Sequence, residues 1–346
     1  AIDDALDALE KAVATHKANK AMKPLEHRGP PVFNADVALE RLKAANAGAT
    51  GGFDLAATHA QLLRQEAMER IGYLQGAHEQ LAAPAMQAAQ AATLKEGMRQ
   101  ALAGGLRFFV GMDFTGADFS GLDLRDVNFT GAWLEAVDFR QANVSGANFS
   151  AAVLAHACLE GAIGIKATLR TANLGRSRWK GAVFDEADFT DAQLSHADLG
   201  GASLRRARIQ GAMLIGTRWE GADAHGLQAT EQLFYRLSLK GQSFAEAALA
   251  ACQFVECELA GADFREADLT QANLVSCALD GARFGGAQGK GMVFARNCSL
   301  VEADFSGARM QGVNFGAADM SRARLVGSVL DGANLCEAGL SDSDWR

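Results

Sequence analysis

The sequence predicts a mainly β protein, a four-cornered solenoid of about 12 coils with an α-helical N-terminal segment. Three observations predict it. A bulky apolar residue recurs at every fifth position from Phe114 onward, and a small residue stands two places before most of these centres. All four prolines, Pro24, Pro30, Pro31 and Pro84, precede residue 106, as do the Ala/Gln/Glu-rich stretches. The boundary in composition sets the expected domains: a helical segment over 1–105 that caps the solenoid, and the repeat over 106–346.

Residues 1–22 place Ile2, Leu6, Leu9 and Val13 at the spacing of one amphipathic helix. His27-Arg28-Gly29-Pro30-Pro31 breaks it. Asn34 or Asp36 can cap a second helix through about Ala45, and Gly48 to Gly52 make a flexible joint. From Asp54 to about Ala103 the composition predicts one or two long helices, with Pro84 as a kink or boundary. A solenoid leaves backbone groups and apolar side chains open at each end, so this segment is expected to pack over the first coil. The chain opens without Met and inside a helical pattern, which favours a piece of a longer protein over a processed start.

A five-residue period fits neither the 3.6 of a helix nor the 2 of a flat strand, so the chain must turn every five residues. Four units then make one square coil, residues 20 apart stack, and successive coils pair at about 4.8 Å. The centres number 37 from 114 to 294 and, after one inserted residue near Asn297, ten more from 300 to 345. That makes a rod on the order of 55 Å long. Ala117, Ala132, Ala262 and Ala272 are typical of the small slot; Cys252, Cys257, Cys277 and Cys298 substitute for Ala there. Their expected role is packing.

Runs such as Gly261-Ala262-Asp263-Phe264-Arg265-Glu266-Ala267-Asp268-Leu269 resemble the pentapeptide-repeat proteins over about residues 112–346. The resemblance implies a right-handed quadrilateral β-helix.

Four centres hold small residues: Gly164, Ala224, Ala229 and Gly289. Either neighbours such as Ile163, Ile165, Leu227 or Leu233 fill the resulting voids, or the coil bulges. A sharper expectation makes Asp223 to Gln242 a protruding loop for a partner to grip, with Gln232 and Gln242 in slots that prefer Ala.

The 346 residues, 49% apolar and 21% charged, exclude a disordered chain. No apolar run is long enough to cross a membrane, so no membrane partner is expected. Six scattered cysteines make no disulfide framework and point to the cytoplasm. A net charge of −8 disfavours direct binding of nucleic acid. Catalytic, metal and cofactor sites are not expected. His78-Glu79 lacks a second histidine at Ala82, and Gly289-Lys290-Gly291 lacks the flanking residues of a phosphate loop.

Two functions are carried forward. Some pentapeptide-repeat proteins act on DNA gyrase through an acidic surface resembling a duplex, so the resemblance implies DNA mimicry as one alternative. Charge argues against it: residues 166–240 carry eleven basic and eight acidic side chains, whereas 106–165 carry three and seven and 241–346 eight and fourteen. The preferred expectation is a non-enzymatic protein-binding scaffold or adaptor. The helical leader followed by a long repeat resembles accessory proteins encoded with bacterial type VI secretion systems, which implies a secreted effector or spike protein as partner. The candidate partner contacts are Arg176, Arg178, Lys180, Arg205, Arg206, Arg208, Arg218, His225, Gln232 and Tyr235. At the other end, either Trp345 closes the last coil or a second copy covers it, giving a homodimer.

Overall fold

The computed structural model describes residues 30–45, 54–295 and 298–346. The helix expected over 1–22, most of the break that follows it, the Gly48–Gly52 joint and the insertion at Asn297 lie outside the described residues. The chain divides into two compact units, Ala1–Ala83 and Pro84–Arg346. In the first, helix α1 (Ala35–Ala45) packs with α2 (Leu55–Gly76), which ends in a short 3-10 turn. Of the two cap candidates it is Asn34 that caps α1, accepting from Val37 N at 2.9 Å; Asp54 caps α2 through Ala57 N at 2.9 Å. Leu39 and Tyr73 are buried in this unit, and Glu66 accepts from Ala35 N at 3.0 Å.

Helix α3 (Ala88–Ala103), within the segment expected as a cap, belongs to the second unit and packs with the solenoid. Met98 is buried in the solenoid core, with Met86, Leu94, Ala101 and Leu102 packed against it. Lys95 Nζ reaches the Asp118 carboxylate at 3.0 Å and Ser120 Oγ at 2.8 Å. Met86 N donates to Gly116 O at 2.8 Å. Gly116 is required there: its φ is +70°, and a Cβ would lie 2.4 Å from Pro84 O.

From Phe108 to Asp344 parallel bridges link one residue in five to its counterpart a full coil later, with two ladders interrupted between Met213 and Leu233 and between Arg218 and Ser238. Asp118, Asp123, Asn128 and Trp133 pair with Asp138, Asn143, Asn148 and Val153, so four ladders of 20-residue period bound the rod. Each side is pinned from both neighbours: Phe129 N donates to Asn148 O at 2.7 Å, and Asn148 N to Val127 O at 2.9 Å. At each corner a tight turn closes, as where Ala132 N meets Phe129 O at 2.9 Å. The second corner residue takes a φ near +60°, which glycine fills without strain and residues such as Arg206 (φ 54°) adopt at a cost of about 1–2 kcal/mol. One side opens into true strands: β1 (Leu233–Tyr235), β2 (Gln253–Val255), β3 (Asn273–Val275) and β4 (Val293–Ala295), parallel and in that order. Val255 and Val275 follow their centres there, and β-branched residues favour extended backbone. Across the insertion the bridge spacing lengthens by one: Asp263 pairs with Arg283, but Arg283 pairs with Asp304.

Centres point inward. Phe264 and Phe284 are fully buried and stack at 5.1 Å and 9°, in a column continued by Phe244 at 5.4 Å and Phe305 at 4.6 Å. Each buried ring contributes about 1.5–3 kcal/mol. The small centres are filled from within. Phe184 occupies the space a Gly164 side chain would take, and Met310 and Met292 fill that of Gly289. Leu227 and Leu237, in slots that usually hold Ala, are buried beside the coil of Ala224 and Ala229. Ile163 and Ile165 point outward and fill nothing.

Candidate interaction surface

Segment 223–242 does not protrude. Its bridges to the following coil keep the regular register, but toward the preceding coil Met213 and Leu233, and Arg218 and Ser238, are not bridged; Gln232 and Gln242 are buried. The reason is hydrogen bonding between coils: Gln232 Nε2 donates to Ala212 O at 2.7 Å and Leu233 O at 3.0 Å, and Gln242 Nε2 donates to Ala222 O at 2.9 Å. Each amide N–H group reaches a carbonyl of the preceding coil, while Gln232 Oε1 is buried with no hydrogen-bond partner, so Gln232 is enclosed in the rod and withdrawn from any surface contact. Tyr235, half-buried on β1, lies under the Arg236 guanidinium, 5.0 Å from its ring centre.

The seven basic candidates are all exposed, but they fall on different sides of the rod. Arg178 and Arg218 belong to one ladder, Cys158–Arg178–Asp198–Arg218, with Lys180 at the next corner and Arg176 at the preceding one. Arg208 belongs to another, Asp188–Arg208–Gln228, with Arg205, Arg206 and His225 at the corner before it. A single basic patch is therefore not formed.

Several of the cations pair with carboxylates, most of them one coil away. Arg178 pairs with Glu160 at 3.2 Å, and Arg218 with Asp198 and Glu220, each at 3.3 Å. Arg205 pairs with Asp223 at 2.9 Å, and His225 lies 3.4 Å from Glu246. Arg208 is 3.9 Å from Asp188, whose carboxylate is already met by Arg170 at 3.1 Å. Burial works against the ionised form of Asp188, yet bonds from Thr190 and Arg170 outweigh it and hold the carboxyl below its ordinary value. Exposed pairs of this kind contribute at most about 1 kcal/mol each. What they fix is the charge pattern of the surface.

The second group borders a feature that the sequence reading missed. A hollow of about 420 Å³ is lined by Glu186, Arg206, Arg208, Gly226, Gln228 and Glu246. It adjoins a smaller one of about 280 Å³ between Asp185, Glu186, Arg205, Arg206 and His225. The signal was a glycine in a charged corner column: Lys166, Glu186, Arg206, Gly226, Glu246 and Glu266 stand 20 apart. Among the described residues no group of three or more His, Cys, Asp or Glu could hold a metal ion, and no helix is long and apolar enough to cross a membrane.

Twenty residues per coil, four bridged sides and an inward pair of small and large residues define a quadrilateral β-solenoid. The chain belongs to the pentapeptide repeats family, which matches residues 108–131, 132–163, 167–206, 243–287, 298–335 and 314–344. Pentapeptide-repeat proteins form right-handed quadrilateral β-helices. Among solved structures, HetL, a pentapeptide repeat protein involved in heterocyst differentiation regulation from the cyanobacterium Nostoc sp. strain PCC 7120, is 26% identical over 71% of this chain and 94% of its own, with a TM-score of 0.26. Full-length QnrB1, a plasmid-mediated fluoroquinolone resistance protein, is 16% identical over 69% and 91%, with a TM-score of 0.27. A pentapeptide repeat protein from the Arabidopsis thaliana thylakoid lumen is 31% identical over 34% and 68%, with a TM-score of 0.19. No curated protein matches the chain.

Proposed function

We propose that this protein is a non-enzymatic scaffold that binds other proteins along a rigid rod of about 12 coils. The observation that carries the reading is the alternation of charge between coils. In the Arg178–Asp198–Arg218 ladder and at Arg205–Asp223, each cation faces a carboxylate, so the rod offers a patterned surface rather than a uniform one. A duplex mimic needs an unbroken negative stripe, and a nucleic-acid binder an unbroken positive one. Patterned charge on a solenoid of stacked coils is suited to selecting a protein partner by register.

Within this reading the protein acts in the cytoplasm and helps load an effector or spike protein in type VI secretion. Two copies meet through their C-terminal coils, where Leu330, Leu335 and Leu340 are only partly buried and Trp345 is exposed. Affinity capture of the full chain from its native cell, followed by mass spectrometry, tests the partner. Recovery of a secreted protein is expected. A supercoiling assay tests the rival: inhibition or drug protection of gyrase at stoichiometric dose would replace the scaffold with a duplex mimic. A monomeric mass by light scattering at micromolar concentration would remove the dimer.

A further inference from the structure

We infer that the hollow over Gly226 is a socket for one carboxylate, the side chain of an Asp or Glu on the protein partner. This rests on the scaffold reading and adds the chemistry of one contact. Along the corner column, Lys166 and Glu186 neutralise each other at 3.5 Å, and Glu246 is met by His225. Arg206 should find its next neighbour at position 226, but that residue is glycine. A Cβ there would lie 3.0 Å from Arg206 Cγ, so the arginine stem lies over the place where a side chain would stand. Arg206 makes no ion pair among the described residues, although its corner neighbour Arg205 does. Arg208, opening into the same hollow, has only the long contact to a carboxylate that Arg170 already holds.

The unmet demand is therefore for negative charge, supplied between two guanidiniums two residues apart. Guanidinium groups bind carboxylates through paired hydrogen bonds, and Gly226, with no side chain of its own, lines the hollow beside them. The rim sets the limit. Glu186 and Glu246 flank the hollow and repel any anion in proportion to its charge, so that, even with Lys166 and His225 beside them, a dianion such as phosphate is opposed more than a single carboxylate.

The test uses the full chain and the blocked tripeptide acetyl-Gly-Asp-Gly-amide as probe, followed through the Arg Nε–Hε resonances. Saturable shifts at Arg206 and Arg208 are expected, absent with the Asn analogue and weaker with inorganic phosphate. Arg206→Gln should weaken binding by about fivefold or more, while Arg140→Gln, on another side of the rod, should leave it unchanged. Gly226→Ala should also weaken it; because φ is +66° there, Arg206→Gln is the decisive variant, since it leaves the backbone alone. The socket is overturned if no saturable shift occurs, if Arg206→Gln binds like the native chain, or if phosphate binds as tightly as the peptide. A captured partner that binds Arg206→Glu undiminished sinks the socket and leaves the scaffold standing; failure of capture alone bears on the scaffold.

Discussion

The indole Nε1 of Trp179 donates to Ser177 Oγ at 2.6 Å, wholly inside the rod. Ser177 in turn donates to the Leu174 carbonyl. The same relay recurs at Trp219, which reaches Thr217 at 2.8 Å, and at Trp345, which reaches Ser343 at 2.8 Å. A buried indole N–H needs an acceptor, and a hydroxyl in the small slot supplies one while taking little more room than Ala. Ser177→Ala should therefore destabilise the solenoid by about 1–3 kcal/mol, and Trp179→Phe should remove most of that penalty in the double variant. Urea unfolding midpoints check both. Equal stability of Ser177→Ala and the native chain would mean that the indole finds another partner.

Acid should loosen the coils around Asp263. Burial works against its charge, but Arg265 at 2.7 Å, its backbone N–H and Arg283 at 3.0 Å outweigh burial and hold the carboxyl below its ordinary 3.8. A depressed folded value stabilises fully above the unfolded one and fades as pH falls through the folded one. The thermal midpoint should thus fall more steeply below pH 3.8 in the native chain than in Asp263→Asn, which is expected to start lower at neutral pH. Parallel curves for the two would contradict this.

Thiol chemistry should be confined to Cys336, the exposed cysteine; the other five are buried. Burial pushes the Cys252 thiol up to about 12 and raises Cys298 as well, and only a thiolate attacks a disulfide reagent. Ellman's reagent should titrate one equivalent in the native protein and six after denaturation. Rapid reaction of a second thiol would show that the coils open readily.

Gly116→Ala should release α3 from the first coil. The new Cβ would meet Pro84 O at 2.4 Å and Met86 N at 2.9 Å, removing the bond that anchors the approach to the helix. Hydrogen exchange of residues 84–103 should quicken while the coils after residue 150 stay protected. Unchanged protection across 84–103 would show that Met98 and Lys95 hold the helix unaided.

Much of this molecule was legible because its fold repeats one local rule. The centres from Phe114 to Trp345 and the small slots could be read from spacing alone, since each coil needs the same inward pair. The exceptions were harder. Nothing in the local sequence says that Gln232 turns its amide inward to Ala212, because its acceptor lies 20 residues earlier. The grouping of α3 with the solenoid rather than with the helices before it was not legible either, since α3 looks like those helices until Met98 is seen in the solenoid core. The Ser177-Arg178-Trp179 pattern was present in the sequence, and its hydroxyl could have been read as the tryptophan's acceptor. The socket needed the stacking of Arg206 on Gly226, which spacing gives, together with the pairing of their neighbours, which it does not.

The step from a 20- to a 21-residue interval after Arg283 has a bearing on how such a chain can change length. Because every ladder resumes its register beyond that step, one surplus residue disturbs nothing further along. Whole coils could then be gained or lost by duplication or deletion, and small errors at the joints would be forgiven, so the reach of the rod is free to drift until a partner's size selects it.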